Sequence, residues 1–143
     1  QRIIDIGTGA GLPGVPLAIC LQDSAFTLLD SNAKKTRFVQ QAVLELKLGN
    51  VEIVHSRAED FQPEQLFSTV LTRAFADLSD IIASTRHVLA ENGVMIAMKS
   101  HCTEAELAQV TAKKAIIPVQ IPGVEAERNL VCIQLNQQLD GEV

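Results

Sequence analysis

The feature that most restricts how this chain can fold is the stretch DIGTGAGLPGVPLA, residues 5–18, in which Gly7, Gly9, Gly11 and Gly14 close the short apolar run Arg2–Ile6. A strand that breaks into a glycine-rich turn and continues as a helix is the opening of a β/α unit. Glycines at that point let the backbone lie against a ligand without a Cβ in the way. Which ligand is decided further along the chain.

The same alternation recurs. FTLLD (26–30), VEIVH (51–55), STVLTR (68–73) and VMIAMK (94–99) are short, apolar or β-branched and bounded by turn residues, as buried parallel strands are. Between them lie helical spacings. Phe38, Val39, Ala42, Val43 and Leu46 share one face, with Gly49 as the expected stop. A second pattern runs from Leu78 through Ile81, Ile82, Thr85, Val88 and Leu89 to Gly93, and Thr103 with Glu106 reads as a capping box opening a third helix. AIIPVQI (115–121) and LVCIQL (130–135) are two strands joined by PGVEAERN, which leaves no room for a helix. The expected fold is three-layer α/β, with five β/α units and a final hairpin making a seven-stranded, mostly parallel sheet whose last pair is antiparallel.

No repeat or linker divides residues 1–143, so the expectation is one domain. No apolar run reaches the roughly 20 residues of a membrane span, and no signal-peptide pattern is present; a cytoplasmic protein is expected. Cys20, Cys102 and Cys132 are odd in number and lack CxxC spacing. They predict no disulfide framework and no metal site, and read as small apolar fillers. A formal charge of −5 speaks against a general nucleic-acid binder, so the placement of the cations matters more than their sum.

In such a sheet, ligands meet the carboxyl ends of the strands. The first strand delivers the glycines there. The second delivers Asp30, Ser31 and Asn32, then Lys34, Lys35 and Arg37 on the helix that Ser31 or Asn32 would cap. The third delivers Arg57, Ala58, Glu59 and Asp60, the fourth Arg73, Ala74 and Phe75, and the fifth Lys99, Ser100 and His101; Arg128 sits at the tip of the hairpin on the same rim. An acidic protein can carry a basic mouth in this way. Glu125 and Glu127 are the expected partners if Arg128 only forms a local ion pair, and His55 and His101 read as structural.

Dinucleotides, nucleoside triphosphates and S-adenosylmethionine all bind turns of this kind. A G-x-G-x-x-G fingerprint fails here because Leu12 stands in place of its third glycine, and no G-K-[ST] tripeptide exists for a phosphate loop. Asp5 two residues before Gly7, the G-x-G-x-G spacing and Asp30 closing the second strand resemble the first motif of Rossmann-like methyltransferases that use S-adenosylmethionine. A carboxylate at position 30 can accept both ribose hydroxyls. TRAFADL after the fourth strand offers neither an [ND]-P-P-[YF] sequence nor a cysteine nucleophile. Acceptors with an exposed lone pair remain, guanine N7 among them, and these need positioning rather than a general base. A small-molecule or protein methyltransferase and a non-catalytic cofactor-binding module stay open as alternatives on the residues alone.

DIGTGAGLPGVPLA, LLDSNAKKTRF, SRAEDF, TRAFADL, MKSH and ERNLVCI, in this order and spacing, resemble the RsmG (GidB) family over essentially the whole chain. The resemblance implies a Rossmann-like class I methyltransferase, acting as a monomer, that transfers the methyl group of S-adenosyl-L-methionine to guanosine N7 in small-subunit (16S) ribosomal RNA or a ribosomal particle. It implies cofactor contacts at Gly7, Gly9, Leu12, Asp30, Ala58, Glu59 and Arg73. Lys34, Lys35, Arg57, Lys99 and Arg128 would face RNA, with Arg73, Lys99 and Arg128 positioning the acceptor. Ser100 and Asn129 depart from the glycine and histidine common in the family, without removing a charge. Family members carry a helical segment before the first strand, and this sequence opens almost on that strand; the resemblance therefore implies that the present stretch alone binds cofactor weakly and methylates RNA poorly.

Overall fold

A computed structural model describes residues 1–73 and 76–135. Its strands are β1 (Arg2–Ile6), β2 (Ala25–Asp30), β3 (Val51–His55), β4 (Phe67–Arg73), β5 (Leu89–Lys99), β6 (Lys113–Pro118) and β7 (Asn129–Gln134). They form one sheet in the order β3-β2-β1-β4-β5-β7-β6. The first five pair in parallel, β7 runs antiparallel to β5, and β6 pairs antiparallel with β7 at the edge. The mostly parallel sheet with an antiparallel last pair is thus the architecture expected.

Among the described residues the α-helices are α1 (Gly14–Cys20), α2 (Ala33–Glu45), α3 (Leu78–Thr85) and α4 (Glu104–Ala108). Two apolar layers sandwich the sheet. On one face Ala18 of α1 and Val39 and Val43 of α2 pack with Ile3, Phe26, Leu28 and Leu71; on the other, Leu78 and Ile81 of α3 join Ile4, Phe67, Val70, Met95, Ala97, Val131 and Ile133. Fully burying each of these side chains larger than alanine contributes roughly 1.5–3 kcal/mol. Because β1 and β2 are covered on both faces, Ile3–Asp5 and Phe26–Asp30 are buried without alternation. By contrast, every residue of β6 is exposed.

Element boundaries differ from expectation by more than one residue in these places. The helical pattern through Leu89 ends at Thr85 in a 3-10 turn, Arg86–Val88, because Leu89 pairs with Phe67 and so opens β5 five residues before the VMIAMK run. Gly49 does not stop α2: the chain reverses at Lys47, which takes the left-handed conformation at φ 55°. Strand β6 begins at Lys113 rather than at Ala115 and ends at Pro118. Cys20 is exposed and is not a core filler, whereas Cys102 and Cys132 are half-buried. No helix among the described residues is long and apolar enough to cross a membrane, and no group of His, Cys, Asp and Glu among them could hold a metal ion.

Candidate functional site

The carboxyl edge of the sheet is organised by two buried carboxylates. Asp5, in mid-β1, accepts the Thr8 hydroxyl at 2.8 Å and the Gly14 amide at 2.9 Å on the same oxygen, Oδ2. It therefore ties the start of α1 to the strand that leads into the glycine turn. Its other oxygen is buried with no partner among the described residues. Burial pushes the Asp5 pKa up to about 6, against the hydrogen bonds from Thr8 and Gly14 and the charge of Arg73, with Asp30 adding to the rise.

Asp30, at the end of β2, holds the turn from the other side. Its Oδ2 accepts the Gly9 amide at 2.8 Å and its Oδ1 the Asn32 amide at 2.9 Å. A carboxylate has about four lone-pair positions, so two remain for a ligand. Between these anchors Gly7, Gly9 and Gly11 all adopt positive φ, 69°, 60° and 91°, a region costly for residues with a Cβ. A Cβ on Gly7 would meet nothing within 4 Å, and one on Gly9 would lie 2.7 Å from Arg73 Nη2. The turn thus presents open backbone at Gly7 and is roofed by Arg73 at Gly9.

A cleft of about 420 Å³ opens at this point, lined by Ile6, Gly7, Leu29, Asp30, Ser31, Ser56, Arg57, Ala58 and Glu59. The sequence therefore placed Gly7, Asp30, Arg57, Ala58 and Glu59 at one cavity; Ser31 and Ser56 join as its hydroxyl-bearing walls. Ala58 and Glu59 lie in a 3-10 turn, Ala58–Asp60, after β3. Leu12, 48% exposed, lies beyond the turn, its amide bonded to the Thr8 carbonyl at 3.1 Å. His55 Nε2 bonds the Ser31 carbonyl at 2.9 Å.

A second pocket of about 360 Å³ lies next along the rim, between the ends of β4, β5 and β7 and the hairpin. Arg73, Met98, Lys99, Ser100, Val119, Ile121, Arg128, Asn129 and Leu130 line it. From this pocket Arg73 also reaches back to the glycine turn, its Nη2 donating to the Thr8 carbonyl at 3.5 Å. The apolar walls Met98, Leu130 and Ile121 were not singled out by sequence; alternation along β5 and β7 was the available signal. Ala74 and Phe75, next to Arg73, lie outside the described residues.

The cations divide into two kinds. Lys34, Lys35, Arg57 and Arg128 are exposed, with no side-chain hydrogen bond or ion pair among the described residues. Asn32 caps α2 by accepting the Lys35 amide at 3.1 Å, so both lysines sit in its first turn, where the helix dipole opposes them. Lys99 is different. It pairs with Glu106 and donates to the Ala76 carbonyl at 3.2 Å, and both side chains of the pair are 10% exposed. Glu106 also accepts the Leu78 amide at 2.9 Å. Burial works to raise its pKa, but the Lys99 and Leu78 hydrogen bonds prevail and hold it below the usual carboxylate range. Lys99 is therefore an internal tie between β5, α3 and α4 more than an open rim charge. Glu127 goes to His101, 3.2 Å away, instead of to Arg128.

Known proteins resemble this chain in sequence and in fold. The family model for rRNA small subunit methyltransferase G matches residues 1–131. The ribosomal RNA small subunit methyltransferase G of Laribacter hongkongensis is 46% identical over 138 residues, covering 94% of this chain and 67% of that protein. Its counterpart in Hydrogenovibrio crunogenus is 47% identical over 141 residues, covering 96% and 65%. The chain thus spans about two thirds of the length of the curated relatives it matches. Among solved structures, TYW2 of M. jannaschii in complex with AdoMet superimposes with a TM-score of 0.77 at 13% identity, over 93% of this chain and 67% of that one. An rRNA methylase from Streptococcus thermophilus gives 0.68 at 13% identity, over 96% and 87%; at such identities the likeness is one of fold. On the strength of the family match and of relatives nearly half identical, the chain belongs to the rRNA small subunit methyltransferase G (GidB) family.

Proposed function

We propose that this chain binds S-adenosyl-L-methionine in the cleft at Gly7 and Asp30 and directs its methyl group to N7 of a guanosine in small-subunit ribosomal RNA. The observation that carries the reading is the pairing of open backbone at Gly7 with a buried carboxylate, Asp30, that keeps two lone-pair positions free at the mouth of a 420 Å³ cleft. That volume falls in the range of small-molecule sites.

The residues present fit the cofactor. Asp30 would accept the ribose hydroxyls, Ala58 and Glu59 would border the base, and the uncovered turn at Gly7 would lie against the methionine part, with Gly9 and Leu12, whose amides are taken by Asp30 and the Thr8 carbonyl, shaping that turn. When bound, S-adenosyl-L-methionine supplies an electrophilic methyl group on a sulfonium centre. Guanine N7 carries an in-plane lone pair and no proton, so this chain's task is to align the acceptor and exclude alternatives. Arg73, in the second pocket and over the glycine turn, positions the acceptor edge. Arg128 and the exposed Lys34, Lys35 and Arg57 hold RNA phosphates, and Lys99 acts through the placement of α3 and α4.

A methyl-transfer assay with labelled S-adenosylmethionine on small-subunit RNA lacking the modification, followed by mapping of the labelled base, tests the reading. Label confined to a guanine N7 is the expected result. Label on another atom, or binding of the cofactor without any transfer to RNA, overturns it.

A further inference from the structure

The second pocket, of about 360 Å³, combines apolar walls with hydrogen-bonding groups of both senses. Met98, Ile121 and Leu130 supply the walls, and Arg73, Arg128 and Asn129 the polar lining. Arg128 has no side-chain partner among the described residues, and Arg73 keeps a buried Nε–H without an acceptor there. Asn129, at the start of β7, is held differently. Its Nδ2 donates to the Ser100 carbonyl at 3.2 Å and to Glu127 Oε1 at 3.3 Å, which uses both amide hydrogens. Glu127 is held in turn by His101 Nδ1, 3.2 Å from its other oxygen. A carbonyl and a carboxylate only accept, so the amide nitrogen must face them and the amide oxygen, Oδ1, is turned elsewhere. That oxygen accepts nothing among the described residues.

We infer that Asn129 determines specificity for guanine: its Oδ1 accepts from the N1–H and the exocyclic amino group of an acceptor base seated in this pocket, while Arg73 and Arg128 donate to O6. The inference rests on the proposed transfer to guanine N7. In an A-form RNA helix N7 lies in the deep groove that side chains do not enter. The base must therefore leave the stack to be methylated, and the aliphatic walls of Met98, Ile121 and Leu130 suit the faces of a planar ring. Guanine carries donors on its Watson–Crick edge and acceptors at O6 and N7. One fixed acceptor together with two guanidinium groups matches that pattern and leaves N7 itself free to receive the methyl group. Adenine reverses it, with an amino group in place of O6 and an unprotonated N1. Against Asn129 and the arginines it would set lone pair on lone pair and donor on donor. A pocket whose polar atoms are committed in advance rejects the wrong base because its own groups are then left unpaired.

The 143-residue chain is titrated with guanosine monophosphate and with inosine monophosphate, whose base lacks only the exocyclic amino group. Binding is followed by NMR chemical shifts, which need no turnover. Methyl transfer is measured in parallel on small-subunit RNA carrying guanosine or inosine at the methylated position. The wild-type chain is expected to favour guanine at least about fivefold in both readouts, and Asn129→Ala to bring the ratio to within about twofold of unity by weakening guanine alone. Asn129→Val, β-branched and suited to a strand, provides the same test should Asn129→Ala fail to fold. Equal treatment of the two bases by the wild-type chain overturns the inference. So does a guanine preference that survives in the variant while transfer to guanine N7 continues, an outcome that leaves the proposed reaction standing. Transfer to another atom overturns both.

Discussion

Asp30 Oδ2 accepts the Gly9 amide at 2.8 Å, a hydrogen bond that joins residues 21 apart in sequence and sets the shape of the glycine turn from the neighbouring strand. The carboxylate is 8% exposed, so its removal leaves the amides of Gly9 and Asn32 without their acceptors. Asp30→Ala is expected to cost about 1–3 kcal/mol of stability. Asp30→Asn, keeping one acceptor oxygen, is expected to cost less. Both are expected to weaken S-adenosylmethionine binding at least ~10-fold, about 1.4 kcal/mol, in a calorimetric titration. Unchanged affinity in Asp30→Asn would exclude the ribose contact.

Asp5 has the opposite character, since its folded pKa of about 6 lies above the ordinary 3.8. Between those values the folded chain binds a proton that the unfolded chain does not. Its contribution is therefore fully present below about pH 4 and is lost as pH rises through 6, by about 3 kcal/mol. The difference in stability between the wild-type chain and Asp5→Asn, followed by thermal melting from pH 4 to 7, is expected to show this slope; a flat difference would contradict it.

Glu106 joins α4 to Lys99 and to the first amide of α3. Glu106→Ala strands the Lys99 ammonium in a site where it is 10% exposed, and a loss of about 3 kcal/mol is expected in chemical denaturation. Lys99→Met, which removes the charge together with its need for a partner, is expected to cost less. Because Glu106 is held below the usual carboxylate range, its contribution is lost as pH falls, the reverse of Asp5.

Gly14 is set by space rather than by φ. A Cβ there would lie 2.2 Å from Leu28 Cδ2 and 2.9 Å from Asp5 Oδ2. Gly14→Ala is expected to destabilise by about 1–3 kcal/mol, and Gly49→Ala, with nothing within 4 Å, by less than about 0.5 kcal/mol. Melting temperatures of the pair give the comparison.

For RNA the division of the cations is decisive. Replacing Lys34, Lys35 and Arg128 together by Gln is expected to flatten the dependence of log affinity on log salt, by roughly 0.7 for each phosphate of single-stranded RNA that is no longer neutralised. Lys99→Gln is expected to leave that slope unchanged, because its charge is already met by Glu106. Fluorescence anisotropy with a small-subunit RNA fragment at several salt concentrations distinguishes the two outcomes.

The strands were legible because buried parallel strands leave uninterrupted apolar runs, as in β1 and β2; their order in the sheet was not read from the sequence. The boundary at Leu89 was not, since Val88 and Leu89 continue a helical spacing and only the pairing with Phe67 converts the second of them to strand. Thr103 and Glu106 illustrate a half-correct reading. Thr103 does accept the Glu106 amide at 3.1 Å, yet the Glu106 carboxylate turns away to Lys99 and Leu78, which no local pattern encodes. The positions of Gly7, Asp30, Ala58 and Glu59 around one cleft follow from topology, so the sequence could supply them. The Glu127–His101 pairing depends on how the hairpin leans over the end of β5, and spacing is silent on that.

The wholly exposed strand β6 presents a hydrogen-bonding edge left unpaired among the described residues, and its composition decides what can be done with it. Lys113 and Lys114 begin it and Pro118, which has no amide hydrogen, ends it. A strand arriving from another molecule would meet the Lys113 ammonium at one end, Lys114 being tied to the Val110 carbonyl, and a missing donor at the other. The sheet can therefore end at its seventh strand in water without inviting an eighth, and the hairpin that carries Arg128 to the rim does not become a site of aggregation.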